Sequence, residues 1–364
     1  MVPREVHQIL PFFAYGDAIG NQALELRELL RRLGHRSDIF AENWDRRLEQ
    51  ECYPYQAYER HSSPNNLLIF HYSTSGQVNQ YVRGLRDRVV LYYHNITPPR
   101  FFYWINGELA RELEEAQHGL KSFAATIPAI AASPYNAQEL QVLGFQMLGI
   151  APYIVRLEQL DKGLAGRGAA RILRQFSDPQ IFDWLYVGRI VPNKCIQDII
   201  KSFYYFNKWI IPSSRLFLVG SGEGAEDYVR GLVQLTDDLL LGNSVIFAGH
   251  YGAAEGLGAF YKIANLYVCM SEHEGFCIPL IEAMHYGLPV IAYAATGVPF
   301  TLGNAGVSIK QKNHPMIAEV AYEIMGNERF RSSLLKGQSA RLTAFDPEAT
   351  RSQVYNCLRA AMDR

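Results

Sequence analysis

The 364 residues carry 35 Lys+Arg against 36 Asp+Glu, with 48% hydrophobic and 20% charged side chains. At roughly 150 residues per domain this is a two-domain chain, and the composition excludes disorder and low complexity. The formal net charge of -1 excludes a polybasic footprint for nucleic acid, so an anion must be held by a few placed groups.

Residues 6–14 read as a buried strand, followed by Gly16 and Gly20. Residues 21–33 read as a helix carrying Leu24, Leu26, Leu29, Leu30 and Leu33, with Gly34 as its stop. Strands follow at 36–41, 67–72 and 89–95. A longer charged helix reads at 101–121, a strand at 129–133, and a helix at 134–143 with Pro134 near its first turn. The second half repeats the rhythm. Strands read at 184–189, 215–219, 245–248, 266–270 and 289–293, with helices near 196–209, 226–240, 257–263 and 278–286. Short apolar strands alternating with helices mean parallel sheets covered on both faces, and each half has enough elements for its own doubly wound domain.

The join is expected within 157–183, where strand signals are weak and Gly163, Gly166, Gly168 and Asp178-Pro179 interrupt the pattern. Residues 314–364 read as two or three helices. Asp346 suits the N-cap of the last one and Pro347 its first position. The expected domains are 1–165 and 166–345, with a C-terminal helix at 346–364 that has the option of packing back on the first domain.

Five cysteines, at 52, 195, 269, 277 and 357, are odd in number and widely spaced. They argue against a disulfide framework or structural zinc and for a reducing compartment. Met1-Val2-Pro3-Arg4-Glu5-Val6-His7 does not read as a signal peptide. No run approaches the ~18 apolar residues of a membrane span. The expectation is a cytoplasmic protein without a transmembrane segment.

The most informative stretch is Ser271-Glu272-His273-Glu274-Gly275-Phe276-Cys277-Ile278-Pro279-Leu280-Ile281-Glu282-Ala283-Met284. It follows an apolar strand and opens a helix. The N–H groups of residues 275–278 have no intrahelical partner, and such a helix start attracts phosphate or hydroxyl oxygens. Glu274 in the entry loop and Glu282 inside the helix can accept hydrogen bonds from hydroxyls at two ends of one ligand. Taken singly, each has a plainer reading: an acid that favours a helix start, and a solvated face.

Glu274 and Glu282, with seven residues between them, resemble the Glu-x7-Glu motif of retaining nucleotide-sugar glycosyltransferases. The run continues through Ala283-Met284-His285-Tyr286-Gly287-Leu288-Pro289-Val290-Ile291-Ala292 and is similar to glycosyltransferase family 4. The resemblance covers nearly the whole chain. It implies the α/β GT-B fold, two Rossmann-like doubly wound domains facing across a cleft, with C-terminal helices.

Other pieces match in order. Arg189, in Val187-Gly188-Arg189, and Lys194 resemble the basic pair that holds the donor diphosphate. Gly222, in Gly220-Ser221-Gly222-Glu223-Gly224, resembles the glycine turn of the donor site. The turn through His250 and Tyr251 resembles the lining of the base pocket. Gly16 and Gly20 resemble the glycine-rich loop after the first strand, here without its adjacent Gly-Gly pair. His94, at a strand end, resembles the active-site histidine that contacts the donor sugar, and His71 is a weaker candidate. Gly275, Phe276, Cys277 and Ile278 complete the implied donor set. By resemblance Glu282 binds the ribose hydroxyls and Glu274 the transferred sugar, and His94, Glu274, Arg189 and Lys194 serve catalysis. Two departures stand out: Cys277 where glycine is usual, and Phe300 where an acid is common.

The implied function is retaining transfer of a hexose in polysaccharide or glycoconjugate synthesis. The donor is glucose from UDP-glucose first and GDP-mannose next, and the acceptor a glycan or lipid-linked sugar. No two aspartates are separated by one residue, so the Asp-x-Asp metal motif is absent and no metal or other cofactor is expected. Competing readings are a nicotinamide oxidoreductase, suggested by Gly220-Ser221-Gly222 but lacking a well-placed acid ~20 residues on, a GT-B epimerase, and a non-catalytic sugar-nucleotide binding protein. Peripheral contact with the inner face of a membrane has two sources. One is Pro98-Pro99-Arg100-Phe101-Phe102-Tyr103-Trp104, and the other is Arg27, Arg31, Arg32, His35 and Arg36. The plainer readings are a core-facing helix start and a solvated face.

Overall fold

β1 (Val6–Phe13) is buried at every position but Phe12, although His7 and Gln8 are polar. That is the environment of a strand inside a parallel sheet. The computed structural model describes residues 5–364, so Met1 to Arg4 of the stretch read above against a signal peptide lie outside the described residues. After β1 come α1 (Ala18–Arg32), β2 (Ile39–Trp44), β3 (Tyr53–Pro54), β4 (Leu67–Tyr72), α2 (Gln77–Arg83) and β5 (Arg88–Tyr93). Then come α3 (Gly107–Phe123), β6 (Ala129–Ala131), α4 (Pro134–Val142) and β7 (Met147–Ile150). The strands form one parallel sheet in the order β3-β2-β1-β4-β5-β6-β7. The chain winds outward from β1, returns beside it at β4, and winds the other way. The carboxyl ends of β1 and β4 therefore flank a topological switch point, where such sheets bind ligands.

The chain continues with α5 (Leu157–Gly163), α6 (Arg167–Phe176), β8 (Phe182–Val187), α7 (Ile196–Trp209), β9 (Ser214–Val219), α8 (Glu226–Asp238) and β10 (Val245–Gly249). Next are α9 (Leu257–Ile263), β11 (Leu266–Cys269), α10 (Ile278–His285), β12 (Val290–Tyr293), α11 (Val298–Leu302) and β13 (Val307–Ile309). The helices α12 (His314–Gly326), α13 (Glu328–Leu342) and α14 (Pro347–Met362) follow. The second sheet is also parallel, in the order β10-β9-β8-β11-β12-β13, with its switch point between β8 and β11. Its core joins Trp184, Leu216 and Val268 of the sheet to Ile196, Phe203 and Phe206 of α7. Arg215 on β9 forks onto Asp183 of β8, with Nε to Oδ1 and Nη2 to Oδ2 both at 2.8 Å.

One unit comprises Met1–Arg100, Glu108–Ile154 and Asp346–Arg364; the other comprises Phe101–Gly107 and Val155–Phe345. The division falls before α5, not after it at 165, because α5 packs against α9 and the turn at Ala253–Glu255. α14 belongs to the first unit. Asp346 accepts from Ala349 N at its start, Gln353 Nε2 donates to the Ile150 carbonyl at 2.8 Å, and Arg351 Nη2 lies 3.2 Å from Glu25 Oε2.

The helix read at 101–121 begins only at Gly107. Residues 101–106 form a strap on the second unit instead. Asn106 Nδ2 donates to the Gly224 carbonyl at 3.0 Å, and the Phe101 ring lies 6.5 Å from that of His273. The aromatic run divides here, with Phe102 buried and Trp104 94% exposed. Among the described residues, no helix is long and apolar enough to cross a membrane.

Candidate active site

The second unit gathers most of the expected residues at its switch point. β8 ends at Val187, and Gly188 turns with φ 148° toward Arg189. Gly220, after β9, has φ 157°, and a Cβ there would meet the Gly188 carbonyl oxygen at 1.8 Å. The two turns can nest only because this position has no side chain. Gly222 follows, half-buried. Arg189 is exposed, and its Nη2 reaches the Glu223 carbonyl at 3.5 Å. Lys194 sits in the turn before α7, largely buried, with Nζ 2.7 Å from Glu274 Oε1. Burial pulls the Lys194 ammonium down, but the Glu274 carboxylate more than offsets it, so its pKa is raised and it stays cationic.

β11 leads into the Glu274 loop, which is tied down on several sides. Glu274 N donates to Thr296 Oγ1 at 2.8 Å, and Thr296 Oγ1 donates back to the Glu274 carbonyl at 3.0 Å. Asn193 Nδ2 donates to the His273 carbonyl at 3.0 Å, and Thr301 Oγ1 to that of Phe276. On the outer side Lys312 Nζ lies 2.7 Å from Glu272 and 2.9 Å from Asp198, which His314 also contacts at 3.0 Å. The loop closes with Cys277 at φ 73°, ψ 68°, a left-handed conformation unusual for a residue with a side chain. Ile278 then opens α10 with Pro279 in its first turn, while Phe276 is buried edge-on against Phe345.

Glu282 lies one turn inside α10 and accepts from Tyr261 Oη at 2.6 Å. Burial raises its pKa, and the Tyr261 hydrogen bond opposes that rise only in part. The Tyr261 ring is stacked on Tyr286, 5.6 Å between centroids. The carboxylate is thus fixed in place.

His250 and Tyr251 follow β10, two strands from β8 at the sheet edge. His250 is exposed. Tyr251 Oη lies 3.3 Å from Arg171 Nη2, and these residues line an open depression with Arg167, Gly249 and Glu255. Phe300 is exposed on α11.

In the first unit, Gly16 is exposed with φ 77°, and Gly20 is buried in the first turn of α1, where its N–H meets Asp17 Oδ1 at 2.5 Å. His94 is 6% exposed and belongs to a buried chain of hydrogen bonds. Gln8 Nε2 donates to the Ala23 carbonyl, which leaves Gln8 Oε1 to accept from His71 Nε2 at 2.9 Å. His71 Nδ1 must then accept from His94 Nε2 at 2.7 Å, and His94 Nδ1 from Tyr153 Oη at 2.9 Å. Both rings are neutral, and both nitrogens of His94 are engaged inside this unit. The resemblance implies a sugar contact for His94; the structure gives it these partners.

Burial pulls the pKa of His71 down to about 3 and that of His94 well below the usual range. Both folded-state values lie under the unfolded value of about 6.5. The stability they support is therefore present above pH 6.5 and lost as pH falls, because the unfolded chain takes up protons that the folded chain refuses. The expected slope for each histidine averages about 0.7 kcal/mol per pH unit between pH 7.5 and 5.5 and approaches about 1.4 well below pH 6.5. Urea unfolding between pH 7.5 and 5.5 measures it, and a His71→Asn variant with an undiminished slope would refute the assignment.

Two parallel, doubly wound sheets, the second with cations and carboxylates at its switch point, define the GT-B class of α/β proteins. Residues 174–339 match the family model described as "Glycosyl transferases group 1", so the second unit carries a glycosyltransferase group 1 domain, a transferase domain. Over 179 residues the chain is 27% identical to O-antigen chain mannosyltransferase B of Escherichia coli, covering 48% of this chain and 45% of that protein. Over 320 residues it is 26% identical to D-inositol 3-phosphate glycosyltransferase of Segniliparus rotundus, covering 86% and 69%. The fold is similar to that of sucrose-phosphate synthase from Thermosynechococcus elongatus, with a TM-score of 0.74, 23% identity and 98% of each chain covered.

Sequence reasoning missed the groups that brace the second unit's site, Asn193, Thr296, Lys312 and Tyr261, and it missed Tyr153, which holds His94 within the first unit. Thr296 lies four residues before Phe300, the second of the two departures noted in the sequence.

Proposed function

We propose that the protein moves a hexose from a nucleoside diphosphate sugar, UDP-glucose as first choice, to a glycan or lipid-linked acceptor with retention of configuration. The observation that carries this reading is the 2.7 Å contact between Lys194 and Glu274 at the β8/β11 switch point. A cation and a carboxylate that close suit the two sides of one bond, diphosphate on one and sugar hydroxyls on the other. When the anomeric C–O bond breaks, its electron pair stays on the diphosphate. Lys194, Arg189 and the N–H groups of residues 275–278 stabilise that charge more in the transition state than in the ground state. Glu274 is not the nucleophile in this reading; it orients the sugar, and Glu282 holds the ribose. The cations come from the protein, so transfer needs no metal. Mannose is the second choice of sugar, favoured by the likeness to the E. coli mannosyltransferase.

A thermal-shift panel of UDP-, GDP- and ADP-sugars in EDTA tests the reading. The expected result is a strong response to one sugar nucleotide, with transfer that survives the chelator. A response to NADH alone overturns the reading, and rescue of lost transfer by Mn²⁺ overturns its metal independence. The two glutamates should also separate by calorimetry with UDP. Glu282→Ala is expected to weaken UDP binding by roughly ten- to a hundredfold, the loss of hydrogen bonds to a charged group. Glu274→Ala is expected to lower transfer while leaving UDP affinity nearly intact. Equal loss of UDP affinity in both refutes the roles.

A further inference from the structure

Cys269 ends β11 and Cys277 precedes α10, so the two thiols bracket the Glu274 loop at its base. Their sulfurs and a Glu274 carboxylate oxygen all lie within 4.8 Å of one another. Both thiols are free and buried, Cys269 at 1% and Cys277 at 8% exposure. No step of transfer uses either one. Cys277 is at φ 73°, where glycine would sit without strain, yet the residue there carries a sulfur within 4.8 Å of that of Cys269.

We infer that Cys269 and Cys277 form an oxidation site, a dithiol that a low-molecular-weight disulfide converts to an intramolecular disulfide across the donor loop. The Cys277 thiolate, the more accessible sulfur, attacks the small disulfide. This forms a mixed disulfide and releases one small thiolate. Cys269 then loses its proton to solvent and attacks Cys277 Sγ, releasing the second. The two protein thiols are oxidised, and one small disulfide is reduced to two thiols, so atoms and electrons balance. In the reduced pair their contact pulls the Cys269 thiol down, while the same contact and burial push the Cys277 thiol well up, so exposure and not charge makes Cys277 the sulfur that meets the small disulfide. Lys194, next to Glu274, places one positive charge near Cys277 and opposes that rise only in part.

Bonding distance between the sulfurs is about 2.05 Å. Drawing them together shifts Cys277, the residue that sets the direction of α10 and of the N–H groups at its start. Glu274 lies inside the closed ring. The chemical step stands without the donor reading; its consequence for donor binding rests on that reading.

The test incubates the full chain with glutathione disulfide and cleaves it at Glu272 and Glu274. The two sulfur-bearing fragments are expected to stay joined until dithiothreitol is added. Cys269→Ser is expected to stop at a stable glutathione adduct on Cys277. Fragments that separate in the wild type without reductant, or a wild type that accumulates the adduct, overturn the oxidation site. Calorimetry with UDP then compares the oxidised and reduced wild type. At least a tenfold loss on oxidation, reversed by dithiothreitol and absent in reduced Cys269→Ser, is expected. A formed disulfide with unchanged UDP affinity overturns the consequence for the donor site while leaving the oxidation site standing.

Discussion

Lys194→Met is expected to lower transfer by about 10²–10³-fold while the fold persists, the usual cost of removing one charge-stabilising donor from a transition state. Methionine keeps most of the stem volume and deletes the ammonium. Two losses then coincide. On the proposed mechanism the developing charge on the diphosphate loses a fixed cation, and the largely buried Glu274 carboxylate loses its partner at 2.7 Å. Lys194→Arg is expected to recover only part of the rate, because a planar fork does not fill the place of a compact point charge. Steady-state rates with the donor that gives the strongest thermal shift, beside far-UV circular dichroism, are the measurement. A Lys194→Met protein that keeps its transfer rate would remove Lys194 from the mechanism.

The largest stability effect is expected at Arg215. Its guanidinium holds Asp183 through two contacts of 2.8 Å and also donates to the Phe176 carbonyl at 2.6 Å. The Asp183 side chain is only 2% exposed. Burial pushes its pKa up, and Arg215 only partly counters that. Arg215→Ala strands this carboxylate, and breaking such a pair typically costs about 3–5 kcal/mol. The guanidinium also lies over the rings of Phe176 and Phe217, so the end of α6 loosens with it. Urea unfolding followed by the buried Trp184 reports on this unit. The Asp183→Asn/Arg215→Met double variant is expected to recover much of the loss, since it removes the stranded charge. A double variant no more stable than Arg215→Ala would show that packing, not charge, dominates.

Several elements were legible residue for residue. β4 is apolar at every position but His71 and Tyr72, and α7 and α9 have a clear helical period, so local sequence settles their limits. β2 lies at Ile39–Trp44, a few residues beyond the strand read at 36–41, because pairing Gln8 with Ile39 sets its register. β3 and β13 are two and three residues long, too short to carry a pattern, and Gly149 interrupts β7. The weak strand signals at 157–183 were real, but α5 and α6 occupy most of that stretch. The site divides in the same way. Glu274, Glu282, Arg189 and Lys194 occur in compact motifs. Their braces come from far along the chain: Thr296 is 22 residues from Glu274, and Lys312 is 40 from Glu272. The His71–His94 link depends on strands β4 and β5 being neighbours, which spacing alone does not reveal.

The return of α14 to the first sheet bears on how the chain is made. Val354 and Leu358 of α14 are buried, and the helix packs on β5 and β7. On the ribosome, β1 to β7 emerge long before these residues do. The apolar surface over β5 and β7 therefore waits, uncovered, while nearly two hundred intervening residues are translated, a window for premature association. A first unit produced as residues 1–154 would keep that surface bare. A chimaera that exchanges the second unit must carry Pro347–Met362 from the same parent as β5 and β7. The two halves are separate in their sheets and inseparable in their synthesis.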